Sequence, residues 1–151
     1  MTLMRYRVSV LVLSMLSLHT VSARTPADTA STDDHALQAE VLLQSSQSWD
    51  GQPLPRYGDG TPEISILRVT IPPGEVVAWH KHPVINAGVL ISGTLTVVSH
   101  DKQTLLLNTG DAIAELVDQW HYGINKGTEP AVILVFYAGE QGRPLSITLN
   151  P

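Results

Sequence analysis

Apolar residues fall at alternate positions from residue 64 on. Leu67, Val69 and Ile71 share one parity, and residues 64–71 are rich in β-branched side chains. A period of two sends successive side chains to opposite faces of a strand, so 64–71 reads as a half-buried strand. Further short runs follow at 76–82, 85–91, 94–99, 103–107, 112–116, 120–125 and 131–138, with 145–148 as an edge strand. The 131–138 run is the most apolar and is expected to be the most buried. Turn chemistry separates the runs: Pro72-Pro73-Gly74, Ser92-Gly93, His100-Asp101-Lys102, and the stretches 108–111 and 125–130. Pro73 pre-sets φ, and Gly74 is free to take a positive one. Many short strands, no long helical period and no internal repeat predict an all-β barrel or sandwich.

The first sixty residues follow other rules. Residues 45–60 are rich in Ser, Gly, Pro and Asp and read as loops, whose aromatics fold over an apolar surface or form a lid. Residues 35–44 fit either one helical face or, in the preferred reading, an edge strand over 41–44 with a frayed start. Residues 24–34 are small and polar, as in a flexible linker. Arg5 and Arg7 precede an apolar stretch at 8–18, and Val21-Ser22-Ala23 offers small residues before a cut. That is the pattern of a secretory signal peptide rather than a spanning helix. The expected division is a signal peptide at 1–23, a linker and N-terminal loop or strand region at 24–60, and the barrel at 61–151. The expected compartment is periplasmic or secreted, with no membrane association once the signal is cleaved. Cutting after Ala23 leaves 128 of the 151 residues, and loss of Arg5 and Arg7 moves the net charge from −5 to −7. An acidic chain of this kind is a poor partner for nucleic acid. With no cysteine, disulfides, thiolate ligands and a cysteine nucleophile are all excluded.

The candidate chemistry lies in the histidines. His80 and His82 stand two apart on an expected strand, so both imidazoles face one side, about 6–7 Å apart along the chain. Neutral imidazole is the commonest metal ligand, and His121 supplies a third. Of the remaining histidines, His19 falls in the signal peptide, while His35 and His100 fall in loops or turns and are assigned no role. Trp79 and Trp120 adjoin ligand candidates and point to the outer face. Asn125 reads as a turn residue and Asp118 as a solvated loop residue. No phosphate loop, nucleophile elbow or zinc-protease helix motif is present.

Two stretches resemble the cupin superfamily. Its first motif is matched by Gly74, five residues, His80-Lys81-His82, three residues, Asn86, six residues, Gly93; Asn86 replaces the usual Glu. The second is matched by Gly110, Leu116, Asp118, His121 and Asn125, with Leu116 and Asp118 replacing the usual Pro and Gly. The resemblance covers residues 64–138. It implies an all-β, single-domain cupin-type double-stranded β-helix, or jelly-roll barrel, in which His80, His82, His121 and Asn86 bind one divalent transition metal ion (Fe, Mn, Zn or Ni). It also raises the possibility of a homodimer, which the apolar 131–138 run and an outward Trp79 support.

Asn86 brings no negative charge to such a site, so a compensating carboxylate is expected. Glu115 is the candidate: it shares strand parity with Ile113 and faces inward if Ile113 does, as a ligand or as a general base. The expected function is an exported metal-binding protein, either a small metalloenzyme (dioxygenase, lyase or isomerase) acting on a small oxygenated molecule, or a non-catalytic module that captures a small ligand with the metal as clamp. A cavity carboxylate able to act as general base favours the enzyme.

Overall fold

The computed structural model describes residues 37–149. The expected signal peptide, and the linker up to residue 36, lie outside the described residues. No helix among the described residues is long and apolar enough to cross a membrane.

Among the described residues nine strands form two antiparallel sheets. They are β1 (Pro62–Ile71), β2 (Val76–Lys81), β3 (Ile85–Ser92), β4 (Thr94–Ser99), β5 (Thr104–Asn108), β6 (Ala112–Ala114), β7 (His121–Ile124), β8 (Ala131–Glu140) and β9 (Ile147–Thr148). One sheet has the order β1-β8-β3-β6, the other β5-β4-β7-β2-β9. The inner faces are the alternate apolar positions. Ile133, Val135 and Tyr137 of β8 meet Leu95 and Val97 of β4, with Leu90, Leu107 and Ile113 completing a dry core.

One expectation needs correction. Residues 41–44 form no strand. Val41 and Leu42 are exposed and have no ladder partner, so β propensity alone does not hold them. The 131–138 run supplies more buried residues than any other strand, as expected: Ala131, Ile133, Val135 and Tyr137 are buried on one face, while Phe136 points outward and is 44% exposed, in line with Ile64 and Ile66 of β1. In the loop region, Trp49 does pack against the core. Its backbone N–H donates to Ala114 O, and Ser48 Oγ donates to Glu115 O, so this loop covers the free edge of β6. Tyr57 stays exposed.

Gly93 makes the tight turn by which the chain crosses from β3 in one sheet to β4 in the other, at φ +74°, and a Cβ there would lie 2.6 Å from Pro130 O. Gly142 has a similar φ of +81° but open space around it. Gly93→Ala is therefore expected to lose roughly 1–3 kcal/mol of stability through strain and overlap together, and clearly more than Gly142→Ala, which carries only the backbone term. Urea denaturation of the two variants checks the order; equal losses would show that the Pro130 contact relaxes freely.

Candidate metal centre

His80 and His82 leave β2 on its inner side because of an irregularity. Val77 pairs with Gly123 and His80 with His121, so β2 has one residue more than β7 between these pairs. This bulge resets the parity. Val77, His80 and His82 all face the cavity, while Trp79 turns outward against Tyr122 at 4.8 Å and His100 at 6.4 Å. His121 opens β7 directly opposite His80.

The three rings converge, with centroids 4.4, 4.9 and 5.1 Å apart. One ring nitrogen from each lies within 4.8 Å of the others, a group that could hold a metal ion. The other nitrogen of each ring is tethered. Nδ1 of His80 lies 2.7 Å from Ala78 O, that of His82 2.9 Å from Leu145 O, and that of His121 2.9 Å from Gln119 O. A carbonyl only accepts, so each Nδ1 carries the proton and donates it. Each Nε2 is then left with its lone pair free.

Burial holds these rings neutral. Desolvation pushes His82 and His121 down to about 4, against the opposing pull of their carbonyl bonds, and lowers His80 as well. Glu115 is inward, as its parity with Ile113 requires; it is 8% exposed and forms part of the cavity wall. Its Oε2 lies 3.5 Å from His121 Nε2. Desolvation pushes its carboxyl up to about 7. With both groups driven to their neutral forms, the contact is one between acid and imidazole rather than an ion pair.

Asn86 also faces inward, on the ladder rung next to Glu115, whose backbone N–H donates to Asn86 O at 3.1 Å. Its side chain is 2% exposed but is not part of the cavity wall. Three buried atoms here, Asn86 Oδ1, Glu115 Oε2 and His121 Nε2, have no hydrogen-bond partner among the described residues. Buried polar atoms are normally satisfied. Two of the three, Glu115 Oε2 and His121 Nε2, lie 3.5 Å apart, and with the His80 and His82 nitrogens they make a donor set that fits a divalent ion.

Asn125 is structural. Its amide donates to Ile71 O and Glu129 O and accepts from Gly127 N–H, tying the β7–β8 turn to β1. Asp118 takes φ +54°, the left-handed conformation that suits the usual Gly and that Asp tolerates. It faces out towards Lys81 Nζ at 3.4 Å, while its N–H donates to His82 O. Trp120 also faces out, under the Lys81 ammonium. Sequence reasoning passed over Tyr137, which packs edge-on to His82 at 5.5 Å and borders the cavity. Its parity with Ile133 and Val135 was the available signal. Burial, helped by the Glu115 charge, pushes its phenol up to about 12, so it stays protonated.

These shifts fix an acid response. Between about 4 and 6.5 the unfolded chain holds protons on His82 and His121 that the native protein refuses, so stability falls as pH falls through this window. Glu115 acts oppositely: protonated in the native protein up to about 7, it favours the fold as pH falls. The imidazoles outnumber it. The urea midpoint of metal-free protein should therefore drop from pH 6.5 to 4.5, and drop more steeply in Glu115→Gln. A midpoint that stays flat or rises on acidification would show that the rings are not held neutral.

The family model described as "Cupin domain" matches residues 67–137. A search of curated proteins finds no match. Among solved structures, a Klebsiella pneumoniae protein with a double-stranded β-helix domain is 21% identical at TM-score 0.51, with 64% of this chain and 90% of that one covered. Bacillus subtilis oxalate decarboxylase, described with Mn(II) centres, is 28% identical at TM-score 0.50; the match covers 57% of this chain and only 24% of that one. A DMSP lyase from Ruegeria pomeroyi is 19% identical at TM-score 0.52, covering 67% of this chain and 48% of that one. With both motif stretches on one double-stranded β-helix and the three histidines gathered in its cavity, residues 67–137 form a cupin domain.

Proposed function

We propose that this cupin is an exported metalloenzyme in which His80, His82 and His121 hold one divalent transition metal and Glu115 handles a proton of a small oxygenated substrate. The observation that carries the reading is the partnerless Glu115 Oε2 in the cavity wall, 3.5 Å from His121 Nε2. A clamp that merely captures a ligand has no use for a buried carboxyl group beside its imidazoles, whereas a dioxygenase, lyase or isomerase has. The Mn(II) centres named for the oxalate decarboxylase support a divalent ion in this fold. When bound, the ion acts as a Lewis acid on a substrate oxygen. The protein's own contribution is threefold. The carbonyl-tethered imidazoles fix the ion's position, the apolar strands around them exclude water, and Glu115 Oε2 takes or returns a proton beside the bound substrate.

Metal content and turnover in variants test this reading. His82→Ala should lose most bound metal by elemental analysis and His100→Ala none, since His100 lies on the outer face beside Trp79. Glu115→Gln should keep its metal yet lose substrate consumption, followed by oxygen uptake and substrate loss over a panel of small organic acids. A tenfold or greater loss of metal affinity in Glu115→Gln, on the order of 1.4 kcal/mol, would instead make it the fourth ligand. If Asn86→Ala weakens the metal while Glu115→Gln changes nothing, the fourth donor is Asn86. Equal metal in wild type and His82→Ala would leave the imidazoles as structural residues.

Export and pairing belong to the same proposal. The Arg5/Arg7 and 8–23 pattern supports cleavage after Ala23, giving a periplasmic or secreted protein with a linker at 24–60 ahead of the barrel. Exposed Ile64, Ile66 and Phe136 on one outer sheet face support a homodimer. Native mass spectrometry of exported protein should show paired chains beginning at Arg24. A chain starting at Met1 would overturn the export reading, and a monomer at micromolar concentration the dimer.

A further inference from the structure

The cavity beside the imidazoles is chemically two-sided. One pole carries His80, His82, His121, Glu115 and Tyr137. The other is made wholly of hydrocarbon: Val77, Leu95, Val97, Ile133 and Val135, with Ile71 behind them. No lysine or arginine among the described residues borders it. Lys81, the nearest in sequence, turns outward to Asp118 and Trp120. The cavity measures about 100 Å³, smaller than the roughly 150 Å³ apolar cavity that accepts benzene.

We infer that the substrate is a short-chain oxygen chelator with at most one negative charge: a 2-hydroxy or 2-oxo monocarboxylate, or its neutral analogue, with an alkyl tail of one to three carbons. This deepens the metalloenzyme reading and rests on it. The oxygens belong at the imidazole pole, where the metal and the Tyr137 and Glu115 side chains meet them. The tail belongs among Leu95, Val97 and Ile133. A second carboxylate on the tail would be buried against hydrocarbon with no cation to pair it, which interiors do not tolerate. The hydroxyls of a sugar would lose their hydrogen bonds to water there and gain none. A longer tail would reach beyond the apolar wall and gain little further burial.

Calorimetric titration of metal-loaded protein tests this with probes that share one chelating head. 2-Hydroxybutyrate should bind about fourfold more tightly than lactate, as one buried methylene requires. It should bind at least tenfold more tightly than malate, in which a carboxylate replaces the terminal methyl of the tail. Val97→Phe, which fills the tail site, should abolish the preference for 2-hydroxybutyrate over lactate while metal content is unchanged. Val97→Thr, nearly the same size, should narrow the gap between 2-hydroxybutyrate and malate if the larger side chain prevents folding. Malate binding as tightly as 2-hydroxybutyrate to protein with full metal content overturns the inference and leaves the metal reading intact. Protein that takes up no metal overturns that reading and this inference with it.

Discussion

Three backbone carbonyls decide what this barrel can hold. Ala78 O, Gln119 O and Leu145 O each accept the Nδ1 proton of one histidine, and each bond settles two things together. It chooses the tautomer, leaving Nε2 as the lone-pair nitrogen, and it fixes the plane of the ring. Two of the acceptors lie two residues before their histidine, so the strand that carries the imidazole also aims it. The third comes from the segment that leads to β9, which makes this stretch part of the site even though none of its described side chains lines the cavity. Burial then removes the charged alternative. With the rings about 4.4–5.1 Å apart, protonating one raises the cost of protonating the next. The result is a set of neutral donors held ready before any ion arrives.

The irregularities of the fold gather at the same place. A one-residue slip in a strand exchanges its faces. Without the bulge between Val77 and His80, the parity set by Val77 would bring Trp79 inward and turn both histidines out. The left-handed Asp118 does comparable work on the next loop. Its N–H holds His82 O, and His82 makes a lone parallel bridge to Val117, so the turn into β7 is pinned to the residue it must face. These features cost backbone strain and ladder hydrogen bonds. The regular strands on either side, with their continuous apolar inner faces, stabilise the barrel enough to carry that cost.

Much of this was legible in the sequence, for reasons that also mark where it stopped. Alternation revealed the strands because each sheet has one dry face. It failed at 41–44, where apolar residues meet no partner, and it did not reveal that Phe136 stands exposed on the outer face of 131–138. The pair His80 and His82 was legible because residues two apart share a face whether or not a bulge precedes them. The bulge itself was not, since it depends on the register with β7. Glu115 could be placed by its parity with Ile113. The carbonyl tethers could not be foreseen, because backbone oxygens carry no sequence signal. That Lys81 turns away from the cavity was legible too, since it alternates with two inward histidines; its contacts with Asp118 and Trp120 were not.

The substitution at position 86 makes most sense together with Glu115. The two side chains project inward from adjacent strands on one rung of the β3–β6 ladder, extended by the bond from Glu115 N–H to Asn86 O. Directly opposed residues on such a rung have Cβ atoms about 4.5–5.5 Å apart. At that spacing in a dry interior, two carboxylates repel, and one would be forced to keep its proton. Pairing a neutral amide at 86 with a single acid at 115 avoids that conflict. It also shifts the acid from a position behind the wall to one that lines the cavity, where its free oxygen lies 3.5 Å from His121 Nε2. The carboxyl group absent from the first motif is thus present on the neighbouring strand. There it can reach a ligand in the cavity, which the amide of Asn86 does not border.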